Sequence, residues 1–360
     1  MPVYDLPIWA EDPTRFPTKG ISGAGFRFYA EEVPFAHMNS DDFWRHFAAM
    51  REKIPEYSAH YVGQGEPEEH WIAPRISVDA KSREKAQGAY NLLISCLNSM
   101  DGNLFRTFSF NLALPRDQSQ PEDLGADDYS GLRHTQSRPN VIPGCQLAAL
   151  ASRRRPLVYA IHKLHLSYEL ASTHWAHLDP RYYPKHFGVS ASPLDHVRMS
   201  SAITLSYSAI EELQLEPRPK KGNPIKNKNG QWDPAARKDL DDRLRKARIS
   251  TADGIVWHRR GSLTRIHRAS RAAGGLPQPW TKGKVRDLSV AIEDALLEAS
   301  WLRSKCTTHR YGTETRSISM YDVVNVQQLA RRLILESTGF WKLLLQTTAI
   351  SPKTATVATS

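Results

Sequence analysis

Apolar residues recur at helical spacing through most of the second half of the chain. They return every three or four positions, as on one face of a helix, in residues 156–173, 192–213, 285–301 and 320–347. Asp233 and Pro234 begin a shorter charged helix that extends to about Ala247, because aspartate caps helices and proline fits the first turn. Four long helices in this order predict a helical bundle.

The first part of the chain has shorter and more varied patterns. Residues 1–25 are rich in Pro and Gly, which predicts a loosely ordered arm. Short alternating or apolar runs predict strands at residues 25–30, 70–78 and 104–114, and helical spacing predicts helices at residues 41–50 and 79–97. The polar residues 115–140 are typical of a linker.

These patterns together predict an α+β protein. Residues 1–143 form a small mixed α/β unit, with a sensing or regulatory role as one interpretation, and residues 144–347 form a mainly α-helical bundle. Residues 216–283 interrupt the bundle as a basic insertion, irregular over 250–281, and residues 348–360 form a flexible tail.

Composition narrows the class of protein. The chain has 360 residues, 40% of them hydrophobic and 24% charged, which is ordinary for a soluble protein. No apolar run reaches the length of a membrane span, and the first residues lack a signal-peptide pattern. We therefore expect a cytoplasmic protein with no membrane partner.

The positive charge is concentrated in one block. The net charge is +10, but residues 216–286 alone contain 19 Lys and Arg against 6 Asp and Glu. A localised basic block is typical of a nucleic-acid contact. The alternative is a solvated linker that binds nothing.

Several site types find no support in the sequence. The three cysteines are scattered, and the glycine motifs of nucleotide-binding loops and the Gly-x-Ser-x-Gly motif of serine hydrolases are missing. His162, His165 and Glu169 can share one helix face as metal ligands. We interpret them instead as ordinary core or surface residues, and expect neither a metal nor another cofactor.

An arginine and a histidine lie six positions apart where the helix predicted for residues 285–301 ends. Six helical residues turn by about 600°, so Arg303 and His309 converge only if the helix ends near Ser304 and the chain turns. Arginine binds phosphate and histidine moves protons near neutral pH, which favours phosphate-ester chemistry. The alternative is a basic helix end that complements the helix dipole.

The Arg-x5-His element, within an all-helical half, resembles the motif of the HEPN family. These helical bundles have an Arg-x(4–6)-His motif, and many are metal-independent ribonucleases. The match is Arg303 and His309, and the resemblance covers roughly residues 150–345. It implies cleavage of RNA to 2′,3′-cyclic phosphate and 5′-hydroxyl ends, with two copies of the motif paired in a homodimer.

The resemblance also assigns roles to residues. Arg303 would bind the scissile phosphate, His309 would transfer a proton, and a carboxylate of a second helix would support them. Glu211 and Glu212 are the candidates, and only one of them can face inward; we name Glu211. The predicted nucleic-acid contacts are Lys305, Arg259, Arg260, Arg265 and Trp257, the last as a stacking platform or as an anchor of the insertion.

Our first hypothesis is thus a HEPN-type endoribonuclease that acts on RNA, with a defence or toxin effector as its setting. The second is a non-catalytic helical module that binds nucleic acid or a partner protein. Ser304 favours the second, because the family commonly has Asn, Asp or His after the arginine. The third is a structural protein with a disordered basic insertion.

Overall fold

The computed structural model describes residues 1–10, 16–34, 72–101, 114–115, 136–138, 140–171, 193–222, 224–227, 231–260, 285–307 and 318–340. The chain divides into two compact units. The first comprises Met1–Leu97 and Arg106–Arg153, and the second comprises Asn98–Phe105 and Arg154–Ser360. The sequence had placed the boundary at residue 143, which lies inside the helix Val141–Ala151 that closes the first unit.

In the residues that the structure describes, the first unit combines a mainly antiparallel sheet with two helices. In chain order its elements are β1 (Val3–Ala10), β2 (Ile21–Ser22), β3 (Phe26–Pro34), β4 (Ile72–Ala80), α1 (Arg83–Asp101), β5 (Leu114–Pro115), β6 (Gln136–Arg138) and α2 (Val141–Ala151). The strand order is β2-β3-β4-β1-β5, and β6 pairs with β1 in parallel. Phe28, Ile76 and Val78 are fully buried and form part of its core.

The prediction of a loose arm over residues 1–25 is wrong for residues 3–10. Residues 3–10 form β1, which lies between β4 and β5. Tyr4 and Leu6 are buried at alternate positions, as expected of a strand with one face in a core. Pro7 made this strand hard to recognise from the sequence. It falls where the pairing with β4 is irregular, between Asp5 and Trp9, because proline has no N–H for the ladder.

The second unit is mainly helical. Its elements are α3 (Arg155–Leu170), α4 (Pro193–Glu212), α5 (Pro234–Lys246), β7 (Ile255–Arg260), β8 (Val285–Val290), α6 (Ile292–Trp301), the π-helical turn π1 (Leu302–Thr307) and α7 (Met320–Ser337). Helix α4 packs against α3, α7 and π1. The last residues of α1 also belong to this unit, where Arg331 of α7 donates hydrogen bonds to the carbonyls of Ser99 (2.6 Å) and Met100.

A buried polar network joins three of these helices. The Ser167 hydroxyl of α3 donates to the Ala202 carbonyl of α4 (2.9 Å) and accepts from the Ser206 hydroxyl (2.6 Å). Gln327 of α7 donates to the Ser167 hydroxyl (2.9 Å) and to the Ala171 carbonyl (3.1 Å) at the end of α3. Because buried polar groups are costly when unpaired, this network fixes how α3, α4 and α7 pack together.

The prediction of one helix over residues 285–301 is wrong in its first part. Residues 285–290 form β8, which pairs with β7, and α6 begins at Ile292 after the extended Ala291 (φ −60°, ψ 144°). In β7 the fully buried Trp257 alternates with the half-exposed Val256. The side-chain amide of Asn325 in α7 bonds both the N–H (2.8 Å) and the carbonyl (2.7 Å) of His258, so the ribbon is attached to the helices.

The prediction of irregular structure over residues 250–281 is therefore wrong for residues 255–260, which form β7. The α+β class is confirmed, and the helices predicted at residues 156–173, 192–213 and 233–247 correspond to α3, α4 and α5. The predicted helix at 41–50, most of the strand at 104–114 and the tail lie outside the described residues. Within the described ranges no helix has the length and hydrophobicity needed to cross a membrane.

Candidate active site

Arg303 lies in the π-helical turn that follows α6. The regular α-helix ends at Trp301, close to the ending that the sequence suggested near Ser304, and the wider π-helical turn continues from Leu302 to Thr307. The Thr307 hydroxyl donates to the Arg303 carbonyl (2.7 Å). Wide turns of this kind are rare and occur frequently at functional sites. The Arg303 side chain is 40% exposed, so solvent reaches the guanidinium.

Three residues on one face of α4 meet this turn. Thr204, Tyr207 and Glu211 are three and four positions apart, the spacing of neighbours on a helix. Thr204 donates a hydrogen bond to the Thr307 hydroxyl (3.0 Å). The Arg303 guanidinium carbon lies 6.0 Å from the centre of the Tyr207 ring, and its Nη2 lies 3.6 Å from Oε1 of Glu211.

The structure decides between the two neighbouring glutamates. Glu211 faces Arg303. Glu212 instead forms an ion pair with Lys163 of α3 (2.6 Å), and Lys163 also donates to the Ser208 hydroxyl (2.8 Å). Adjacent helical positions diverge by about 100°, so the two carboxylates contact different helices.

Tyr207 is a rigid neighbour of the arginine. Its side chain is buried, and burial is the main cause that raises its pKa to about 12; the charges of Glu211 and Glu216 act in the same direction. The Ser300 hydroxyl forms a hydrogen bond with the phenol, and this bond and the Arg303 charge oppose the shift. The phenol is therefore neutral at physiological pH, and its ring lies close to the limit of about 6 Å for a cation–π contact with Arg303.

The Arg303 guanidinium has donors to offer to a ligand. In the part of the chain that the structure describes, its side chain makes no hydrogen bond, and its ion-pair contact is the one with Glu211. Both side chains are more than a third exposed, so this pair contributes about 1 kcal/mol or less to stability. A phosphate can therefore bind Arg303 without breaking a strong internal contact.

Comparison with known proteins gives no match. No family model, curated protein or solved structure is significantly similar to this chain. The HEPN resemblance thus stays a prediction.

The structure describes the other predicted catalytic and contact residues to different extents. His309 and Arg265 lie outside the described residues, and Lys305 belongs to π1 by its backbone alone. Arg259 and Arg260 end β7, where the backbone pairs them with Arg286 and Val285 of β8. Arg303 and Glu211 are thus the two predicted catalytic residues that the structure brings together.

Trp257 has a position that argues against its predicted role. Its side chain is fully buried in the second unit. A stacking platform needs an exposed ring face, and Trp257 has none in this structure. The ring instead anchors β7 to the core, the alternative that the sequence had left open.

The histidines of α3 are held by protein groups. His165 lies 3.2 Å from a Glu169 carboxylate oxygen through Nε2 and 2.9 Å from the Asn98 amide through Nδ1. Burial lowers the pKa of His162 and raises the pKa of Glu169. Among the described residues, no group of three His, Cys, Asp or Glu side chains is arranged to hold a metal ion.

Sequence reasoning missed Thr204 and Tyr207 as parts of the site. Helical spacing could have identified both, because Thr204 and Tyr207 precede Glu211 by seven and four positions on the same predicted helix. No sequence pattern indicated that Thr307 contacts Thr204, because this contact depends on the wide turn.

Proposed function

We propose that this protein is a metal-independent endoribonuclease of the HEPN type that uses Arg303, His309 and Glu211. One observation supports the proposal: Arg303, half-exposed on a wide helical turn, meets Glu211 of a second helix at 3.6 Å. The residue pair was named from the sequence as an arginine with a supporting carboxylate.

The proposed reaction is a transesterification followed by release of the product. The RNA 2′-oxygen attacks the adjacent phosphorus, its proton passes to a base, and the bond from phosphorus to the 5′-oxygen breaks as that oxygen gains a proton. Arg303 binds the phosphate oxygens through its planar fork and stabilises their developing charge. Glu211 orients Arg303, and His309 transfers a proton.

The proposed partner surface is a second copy of the chain. In the described residues, five of the seven exposed large apolar side chains lie on α3 and the beginning of α4: Tyr159, Leu166, Leu170, Leu194 and Val197. Such a group of exposed apolar residues is typical of a protein–protein contact. A homodimer would bring two copies of the Arg303 site into one particle.

The test is incubation of the full chain with mixed cellular RNA in EDTA, with analysis of the product ends. We expect 2′,3′-cyclic phosphate ends, a loss of about 10²–10³-fold in rate for Arg303→Ala and of about 10²–10⁴-fold for His309→Ala. The control is Arg198→Ala, which removes an exposed arginine from α4 and should cleave like the parent.

Equal cleavage by all four proteins would place the activity elsewhere or in a contaminant. Binding of RNA without cleavage by any of them would favour the non-catalytic module. The observation that favours the non-catalytic module is Ser304, at the position where the family commonly has Asn, Asp or His.

A further inference from the structure

Folding divides the cations of the basic block into two groups. One group is held in ion pairs that attach the segment before α5 to α5 and α6. Lys220 and Arg243 both contact Asp239 (2.8 and 2.9 Å), and Lys226 contacts Asp294 (2.7 Å). Arg218 pairs with Glu216 in the same segment. Each of these cations already has a carboxylate partner within the protein.

The second group points to solvent from α5. Lys238, Arg245 and Lys246 are exposed, while the opposite face of the helix buries Ala236, Leu240 and Leu244. Within the described residues neither Lys238 nor Lys246 makes an ion pair, and Arg245 is 79% exposed beside Asp242 (3.3 Å). Lys238 and Arg245 are two turns apart, about 10 Å along the helix.

Two further cations extend this surface with an unusual backbone. Arg248 follows α5 in the left-handed region (φ 64°). The exposed Lys221 adopts φ 51° and follows Lys220, whose contact with Asp239 brings this segment against α5. Arg248 occupies the position in a Schellman motif that glycine usually takes, with Ile249 N–H bonded to Leu244 O (2.9 Å) and Arg248 N–H bonded to Arg245 O (2.9 Å). Among the described residues, two of the three non-glycine residues with positive φ are thus cations of this surface.

We propose that this surface binds the phosphate backbone of a nucleic acid, and we call it the α5 basic face: Lys221, Lys238, Arg245, Lys246 and Arg248. It has five cations against two carboxylates on the same side of α5, those of Asp241 and Asp242. None of the exposed large apolar side chains in the described residues belongs to it. Membrane-surface helices need an apolar face, and lysine is depleted from protein–protein interfaces, whereas phosphate contacts need only charge.

Nucleic acid is the partner both here and in the proposed function, but binding at the α5 basic face does not depend on cleavage. It also differs from the sequence-based contacts, because it moves the binding surface from the ribbon residues to α5. Left-handed backbone at Arg248 and Lys221 is intrinsically unfavourable for a non-glycine residue, so a role for their side chains explains why glycine is not used.

The test uses a fluorescent single-stranded 2′-O-methyl RNA, which lacks the 2′-hydroxyl nucleophile and cannot be cleaved by the proposed reaction. Binding of the full chain is measured over a range of salt concentrations. Lys238→Gln/Lys246→Gln is compared with Lys81→Gln/Lys85→Gln, which removes two exposed lysines of the first unit and gives the same change in net charge.

We expect the α5 double variant to bind more weakly and to lower the slope of log K against log salt by about 1.4, because each lost contact to a single strand removes about 0.7. The control should keep the parent's slope. Equal slopes for the two double variants would overturn the proposal. So would tight binding to phosphatidylserine vesicles with none to RNA.

Arg248→Gly gives a second test, with a substitution that should not destabilise the fold. Glycine suits the left-handed position, so this variant should melt at least as high as the parent while its salt slope falls by about 0.7. If Arg248→Gly binds RNA like the parent, Arg248 does not contact the nucleic acid. If the parent cuts no RNA but the α5 dependence is present, the nuclease proposal fails and the α5 basic face stands.

Discussion

At the scale of single residues, the site depends on which way neighbouring side chains point. Glu211 and Glu212 are chemically identical and adjacent, yet one contacts Arg303 and the other Lys163. Their contribution to function should therefore differ although their charges are the same.

We predict that Glu211→Gln lowers kcat/KM for RNA and that Glu212→Gln does not. If Glu211 only orients Arg303, the loss is about fivefold, since an exposed ion pair contributes up to about 1 kcal/mol. If it transfers a proton, the loss is about 10²–10⁴-fold. Steady-state cleavage assays distinguish the two, and equal losses in both variants would contradict a specific role for Glu211.

Tyr207 gives a prediction in pH. Its pKa is raised from an ordinary value of 10.0 to about 12, mainly by burial. Below pH 10 the phenol is protonated in both the folded and the unfolded protein, and the contribution to stability is fully present. Between about pH 10 and pH 12 the unfolded chain loses this proton first, so the free energy of unfolding falls by about 2–3 kcal/mol.

The measurement is denaturant unfolding from pH 9 to pH 12 for the parent and Tyr207→Phe. The variant has no phenol to titrate, so its decline should be shallower than that of the parent. Parallel curves would mean that the phenol is not held neutral by the fold.

At the scale of elements, the site is held in place by the crossing of α3, α4 and α7. Gln327 donates to hydroxyl and carbonyl oxygens of α3, and Ser167 in turn bonds α4. Because α4 supplies Tyr207 and Glu211, a shift at this crossing would move the groups that hold Arg303.

We predict that Gln327→Ala lowers the free energy of unfolding by about 1–3 kcal/mol, because buried oxygens lose their donor. Gln328→Ala is the matched control: it removes the same side chain at the next position of α7, where the residue is only half-buried, and should change stability by less than about 0.5 kcal/mol. Chemical denaturation measures both. Equal effects would show that the network contributes nothing beyond helix packing.

At the scale of the whole molecule, the exposed apolar residues of α3 and α4 bear on assembly. Tyr159, Leu166 and Leu170 follow one another at spacings of seven and four along α3 and share its solvent side. A surface of this kind is stable in water when a partner covers it.

We predict that the parent elutes as a dimer and that Leu166→Glu, which buries a charge in the contact, elutes as a monomer. Val256→Glu is the control, since Val256 is a half-exposed apolar residue of β7, away from α3 and α4. Light scattering after size-exclusion chromatography gives the masses. A monomeric parent at micromolar concentration would contradict the dimer.

Local patterns were enough to predict three helices of the second unit. The patterns over residues 156–173 and 192–213 and the Asp233-Pro234 start correspond to α3, α4 and α5, because helical spacing and caps are local signals that need no distant partner. The sequence also named Arg303 and the adjacent pair Glu211 and Glu212, since their chemistry is a property of residue type.

Features that depend on residues far apart in the chain became visible only in the folded protein. β7 and β8 form a ribbon because each supplies the other's hydrogen-bond partners across a long insertion, and β1 exists because β4 and β5 lie beside it. The burial of Trp257, the choice between Glu211 and Glu212, and the division of the basic block into paired and free cations were decided in the same way. Each depends on what a side chain meets after folding, which spacing along one segment does not encode.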